Sequence, residues 1–154
     1  MPKLLEKFLL KERKIKFTVD SNLEDVALIG TSVNRLCTTM NLSDVEAYNI
    51  ELCVVEAANN CVKHAYNFQG GSEVEVVFTF FNGEIKIEIC DRGQTMQRKS
   101  ETPTLEFDPD DMESLPESGM GLYIISEVMD KMEYATSEGK NILTMIKKIA
   151  PVTL

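Results

Sequence analysis

SDVEAYNIELCVVEAANNCVKHAY, Ser43–Tyr66, is the stretch on which the fold turns. Ser43 with Glu46 three residues on is a capping box, which starts a helix by satisfying two orphan backbone N–H groups reciprocally. At about 100° per residue, apolar side chains cover most of the circumference. One flank carries Val45, Tyr48, Leu52, Val55 and Val62; the other carries Ile50, Cys53, Val54, Ala57, Cys61 and Ala65. A helix apolar on both flanks is mostly buried. Yet Asn49, Glu56, Asn60, Lys63 and Asn67 share a stripe roughly 60° wide at that period. A carboxylate, amides and an ammonium aligned on a buried helix suggest the wall of a polar pocket. Taken alone, the stripe reads equally well as the solvent-facing seam of an amphipathic helix.

On the N-terminal side, KIKFTVD (14–20) alternates Ile15, Phe17 and Val19, the pattern of a half-buried strand. Ser21 and Asn22 offer N-caps for a helix through about Cys37. On the C-terminal side, Gly70-Gly71 breaks the chain. Strands at 73–81 and 84–90 flank Asn82-Gly83, a type I′ hairpin signal. Asp91 to Ser118 has no clear period and holds three of the five prolines; Glu101–Glu117 carries seven acids and no Lys or Arg. A loop this long in a compact domain is usually functional or disordered. A helix follows Gly121 to about Met129, and strands near 132–137 and 141–149 turn at Ser137–Lys140. The order β-α-α-β-β-loop-α-β-β implies an α/β (α+β) two-layer sandwich, with helices on one face of a mixed, mostly antiparallel sheet.

Length and charge narrow the function. A chain of 154 residues suits one domain over 1–154 and needs no disulfide or metal to fold. Lys plus Arg is 16 and Asp plus Glu is 25, giving −9. Such a chain is a poor binder of nucleic acid or an anionic membrane, although a local pocket can still hold a small polyanion. No run approaches a transmembrane length, and the N-terminus lacks the marks of a signal peptide. Cys37, Cys53, Cys61 and Cys90 form no C-x-x-C pair and read as reduced thiols of a cytoplasmic protein. The single histidine, His64, reads as an interior or interface residue, and Lys147 and Lys148 as solvated.

Two glycine motifs remain. Asp91 at the end of a buried strand can accept a hydrogen bond from an exocyclic amine such as adenine's, and Gly93 lets a flat ring approach the backbone. Ser118-Gly119-Met120-Gly121 leads into an apolar helix. Backbone N–H groups and the helix dipole favour anions there, so phosphate can be held without basic side chains. Each motif alone is also explained by an ordinary turn or helix cap.

Together, Glu56-x-x-x-Asn60, Asp91-x-Gly93 and Gly119-x-Gly121 resemble the N, G1 and G2 boxes of the GHKL (histidine-kinase-like) ATPases. EAANNCVKHAY and ESGMGLYIISEVMD most resemble the anti-sigma-factor serine/threonine kinase branch, over roughly residues 15–149. The resemblance implies ATP held between sheet, long helix and a lid at roughly 98–118. It implies Glu56 as general base and Asn60 as Mg²⁺ ligand. Lys63 would contact a phosphate, Asp91 and Gly93 would read adenine, and Gly119, Met120 and Gly121 would cradle the phosphates. Asn59 lies off the stripe, so Asn60 is the asparagine chosen.

The implied activity is transfer from Mg-ATP to a serine on a STAS-type antagonist in a partner switch with a sigma factor. The family commonly works as a homodimer, a state to which no feature of this sequence speaks. Three departures stand out. Thr95 replaces the usual second Gly of the G1 box, Glu117 replaces an Arg of some relatives, and Asn141-Ile142 lies where many relatives have a Thr near adenine. Thr95 and Glu117 motivate an alternative: a nucleotide-gated anti-sigma binding module with little or no kinase activity.

Overall fold

The computed structural model describes residues 11–95 and 120–149; the side chain of Met120 is outside that description. β1 (Arg13–Asp20) leads to α1 (Leu23–Thr39) and α2 (Asp44–Asn60), which runs into a π-helical turn over Cys61–Ala65. β2 (Glu73–Phe81) and β3 (Glu84–Asp91) follow. Then come α3 (Met120–Val128), β4 (Lys131–Ser137) and β5 (Lys140–Lys148).

The caps fall where the side chains can make them. Asn22 accepts from Asp25 N at 2.8 Å, and Glu24 and Asp25 place negative charge in the first turn of α1. At α2, Glu46 N donates to Ser43 Oγ at 3.1 Å and Ser43 N donates to Glu46 Oε2 at 2.9 Å, completing the box. Asn82 (φ 50°) and Gly83 (φ 74°) are both left-handed, as a type I′ hairpin requires. Glu138 (φ 53°) and Gly139 (φ 76°) repeat that geometry between β4 and β5.

The sheet order is β1-β2-β3-β5-β4, and every pairing among the described strands is antiparallel. The parallel component expected of a mixed sheet is not among them. β3 and β4 run the same way but are separated by β5, which inserts between them after the α3 excursion. One sheet face carries Val74, Val76 and Phe78, Ile85, Ile87 and Ile89, and Leu143 and Met145, all buried. Against it pack Val26, Ile29 and Val33 of α1, Ile50, Val54 and Ala57 of α2, and Ile125 of α3. The two-layer sandwich stands. α1 and α2 approach closely at Gly30, where a Cβ would collide with Val55. No helix among the described residues is long and apolar enough to cross a membrane.

Lys147 departs from expectation. It is half-buried and donates from Nζ to Val128 O at 2.9 Å, a cation capping the carbonyl end of α3. Lys148 is exposed as expected.

Candidate functional site

Three elements meet at one end of the sandwich: the C-terminal half of α2, the end of β3, and the start of α3. Glu56 and Asn60 are one helical turn apart on α2 and both half-buried. Gly121, in the first turn of α3, faces them. A Cβ there would lie 2.9 Å from Glu56 Oε2 and 3.6 Å from Asn60 Nδ2, so only glycine leaves that space open. No hydrogen bond joins the side chains of Glu56 or Asn60 to another described residue. Asn59 instead leaves its side-chain oxygen buried without a partner.

Lys63 lies beyond the end of α2. α2 ends at Asn60, and Cys61–Ala65 widens to i→i+5 bonding, with Tyr66 N donating to Cys61 O at 3.0 Å. A π turn advances less per residue than an α turn, so a face counted at 100° loses phase beyond residue 60. Lys63 and His64 are both exposed, which corrects the interior placement of His64.

The widened turn grips the residues just past β3 and the first residue of β2. Ala65 O accepts from Gln94 N at 2.9 Å, and Tyr66 Oη accepts from Arg92 N at 2.8 Å while donating to Glu73 O at 2.7 Å. A Cβ on Gly93 would collide with the Ala65 carbonyl. Glycine is thus required at 93 by close packing on the π turn, where the sequence suggested approach of a flat ring. Such turns are frequent at functional sites, and nothing local in the sequence signals this one.

Asp91 ends β3 and is 8% exposed. Its Oδ1 accepts from Gly93 N at 3.0 Å and from Asn141 Nδ2 at 2.7 Å. Asn141, on β5, is 1% exposed. Its Nδ2 also donates to Gly93 O at 3.1 Å, and its Oδ1 accepts from Thr136 Oγ1 at 2.9 Å and Thr95 Oγ1 at 3.2 Å. The carboxyl also lies against the Cys61 thiol, whose ionisation burial, and then that carboxylate, push well above the ordinary range. All four cysteines are buried and free, and burial raises Cys37 and Cys53 to about 12 and Cys90 to about 11. None is a poised nucleophile.

Glu56, Asn60 and Gly121 therefore come together, and Asp91 and Gly93 lie beside them across the π turn. Gly119 and the segment 98–118, with Glu117, lie outside the described residues. Sequence reasoning placed Asn141 only as a departure; its pairing with Asp91 arises from strands 50 residues apart and has no local signal.

Among the described residues no cluster of three or more His, Cys, Asp or Glu could hold a metal by itself. Mg²⁺ commonly keeps several waters and binds through one or two protein oxygens plus substrate phosphates. The Asn60 side-chain amide, whose oxygen is a hard donor, lies beside Gly121 and fits that chemistry.

The family described as histidine kinase-like ATPase domain matches residues 19–147. The chain is 28% identical over 143 residues to the serine-protein kinase RsbW of Bacillus mycoides (strain KBAB4), covering 91% of this chain and 86% of that one. Identity to the serine-protein kinase RsbW of Bacillus cereus (strain AH820) is also 28%, over 144 residues, with coverage of 91% and 86%. Among solved structures, the RsbU and RsbW domains of Rv1364c from Mycobacterium tuberculosis superpose with a TM-score of 0.63. The sequence identity there is 13%, and the match covers 88% of this chain and 32% of that longer one, a likeness of fold.

Proposed function

The chain belongs to the histidine kinase-like ATPase domain family, and from that premise we propose that it is a Mg-ATP-dependent protein serine kinase of the anti-sigma type. Its substrate in this reading is a serine on a STAS-type antagonist, in a cytoplasmic partner switch with a sigma factor. The observation that carries it is the contact of Gly121 with Glu56 and Asn60. It joins the glycine-led start of α3, where N–H groups favour phosphate, to a carboxylate and a carbonyl donor on α2. The naming of the RsbW relatives as serine-protein kinases supports the same reading.

Each residue then has a task. Glu56 accepts the proton of the attacking serine hydroxyl. Asn60 turns its side-chain oxygen to the metal, and Gly119, Met120 and Gly121 offer backbone N–H groups to the phosphates. Asp91 accepts from the adenine amine, with Gly93 completing the adjoining wall. Held by Asn60, a Mg²⁺ bound with ATP would supply charge neutralisation at the transferred phosphoryl group. Lys63 serves phosphate only by reaching back from the exposed π turn.

Thr95 and Glu117, with the exposure of Lys63 on the π turn beyond α2, favour the second reading, a nucleotide-gated binding module. One experiment separates the two. Calorimetry with Mg-ATP on wild type and Asp91→Asn tests the pocket, and transfer to a bound antagonist is compared between wild type and Glu56→Gln. A positioned base contributes about 10²–10⁴-fold, so Glu56→Gln should lose about that much while still binding ATP. Equal inertness of both proteins would leave the binding module standing.

A further inference from the structure

Two of the residues that depart from the family pattern, Thr95 and Asn141, touch each other. Thr95 Oγ1 donates to Asn141 Oδ1 at 3.2 Å, and Thr136 Oγ1 on β4 donates to the same oxygen at 2.9 Å. On its other side Asn141 donates to Asp91 Oδ1 and to Gly93 O. The amide can sit only one way round. A carboxylate and a backbone carbonyl accept and never donate, so the NH₂ must face them and the oxygen must face the hydroxyls. Both donors and both lone pairs of the amide are used, at a residue 1% exposed. Threonine at 141 would offer one O–H and could not serve Asp91 and Gly93 together.

We infer that Asn141 is the positioning residue of the nucleobase reader, with Thr95 and Thr136 fixing its rotamer. This deepens the reading of Asp91 as the acceptor for an exocyclic amine and rests on it. Two donors converging on Asp91 Oδ1, Gly93 N and Asn141 Nδ2, fix the plane of the carboxylate. A carboxylate held in one plane meets a 6-amino purine in one orientation, and it meets the oxygen of a 6-oxo purine acceptor to acceptor. Selection for adenine therefore depends on Asn141, which reaches the base only through Asp91. Replacing the second glycine of the box by Thr95 supplies one of the two hydroxyls that the amide oxygen needs.

The test is calorimetric titration with Mg-ATP and with Mg-purine riboside triphosphate, which lacks the 6-amino group. Asn141→Ala should weaken ATP about 10- to 100-fold, the range of a lost hydrogen bond to a charged group, and leave the analogue within about twofold. Thr95→Val, in the loop after β3, should shift the same ratio a few-fold. In an Asp91→Ala background, Asn141→Ala should add nothing to the loss for ATP. Equal losses on both ligands, or additive losses in that background, would reduce Asn141 to a strand-pairing residue and overturn the inference. Should Asn141→Ala not fold, the ratio in Thr95→Val decides alone. A wild type that binds ATP and the analogue equally overturns the amine reading of Asp91 along with the inference. A wild type that prefers ATP beside variants that keep the preference overturns the inference only.

Discussion

The two ends of the site are built on opposite principles. At the proposed nucleobase end, Asp91, Gly93, Thr95, Thr136 and Asn141 bond to one another until every site on the Asn141 amide is used. At the proposed phosphate end, Glu56, Asn60 and Gly121 are brought close and left without mutual bonds among the described residues. In the first, Asp91 and Asn141 are buried at the centre and Thr95 and Thr136 close it from the exposed rim, and a saturated network of this kind is rigid and costly to disturb. Side chains without such bonds among the described residues can turn to a ligand. The difference teaches where recognition and where chemistry are expected: recognition needs a preset surface, and transfer needs groups still open to the ligand.

Substitutions that add one methyl at each end sharpen the contrast. Gly121→Ala puts a Cβ 2.9 Å from Glu56 Oε2, the tip of a movable side chain. The fold should survive, with Tm within about 2 °C of wild type, while overpacking of about 1–3 kcal/mol falls on the bound state. Mg-ATP affinity should drop about 10- to 100-fold by calorimetry. Gly93→Ala meets the Ala65 backbone, which cannot swing aside. Its cost should appear in the free protein, as about 1–3 kcal/mol lost in urea unfolding. If Gly121→Ala destabilised the fold as much as Gly93→Ala, the phosphate end would be packed rather than open.

Thiol chemistry probes the closed end more gently. Cys61 lies against Asp91, and burial holds its thiol well above the ordinary range. Alkylation of native protein near pH 8 should be slow and should track unfolding, with further protection by nucleotide. Rapid labelling of Cys61 in the native state would mean that the network opens on its own.

The smallest effect is expected at Glu75 on β2. Burial alone would raise its carboxyl, but Lys16 at 3.1 Å and Lys140 at 3.4 Å outweigh it and hold the group below its ordinary value. A carboxyl lowered in the folded state adds stability above its unfolded value, and that stability is lost as pH falls through the folded one. Glu75→Gln should flatten the acid limb of the stability profile by less than about 1 kcal/mol and leave ATP affinity unchanged.

Much of this was written locally. The Ser43–Glu46 box, the Asn22 cap and the Asn82-Gly83 turn each depend on residues a few positions apart, and each is found where the sequence sets it. Glu56 and Asn60 were legible because a helical period puts them on one face. The π turn that carries Lys63 was not legible, because it leaves no compositional mark and shifts the phase of every residue after it. The insertion of β5 between β3 and β4 was not legible, since strand order follows from long-range pairing. Without that order, neither the Asp91–Asn141 bond nor the capping of α3 by Lys147 could be read.

The late arrival of β5 has a consequence for synthesis. Asp91 and Asn141 are register partners on adjacent strands but lie 50 residues apart, and β5 is the last described strand. A nascent chain that has emerged only as far as Gly139 carries Glu56, Asn60, Asp91 and Gly121, yet lacks the residue that clamps Asp91. Non-local pairings are the slow step of folding because the chain entropy of closing the loop is lost before the contact is gained. Selective nucleotide binding should therefore switch on when β5 docks, so that a nascent copy still lacking Asn141 is expected to bind ATP far more weakly than one in which β5 is in place.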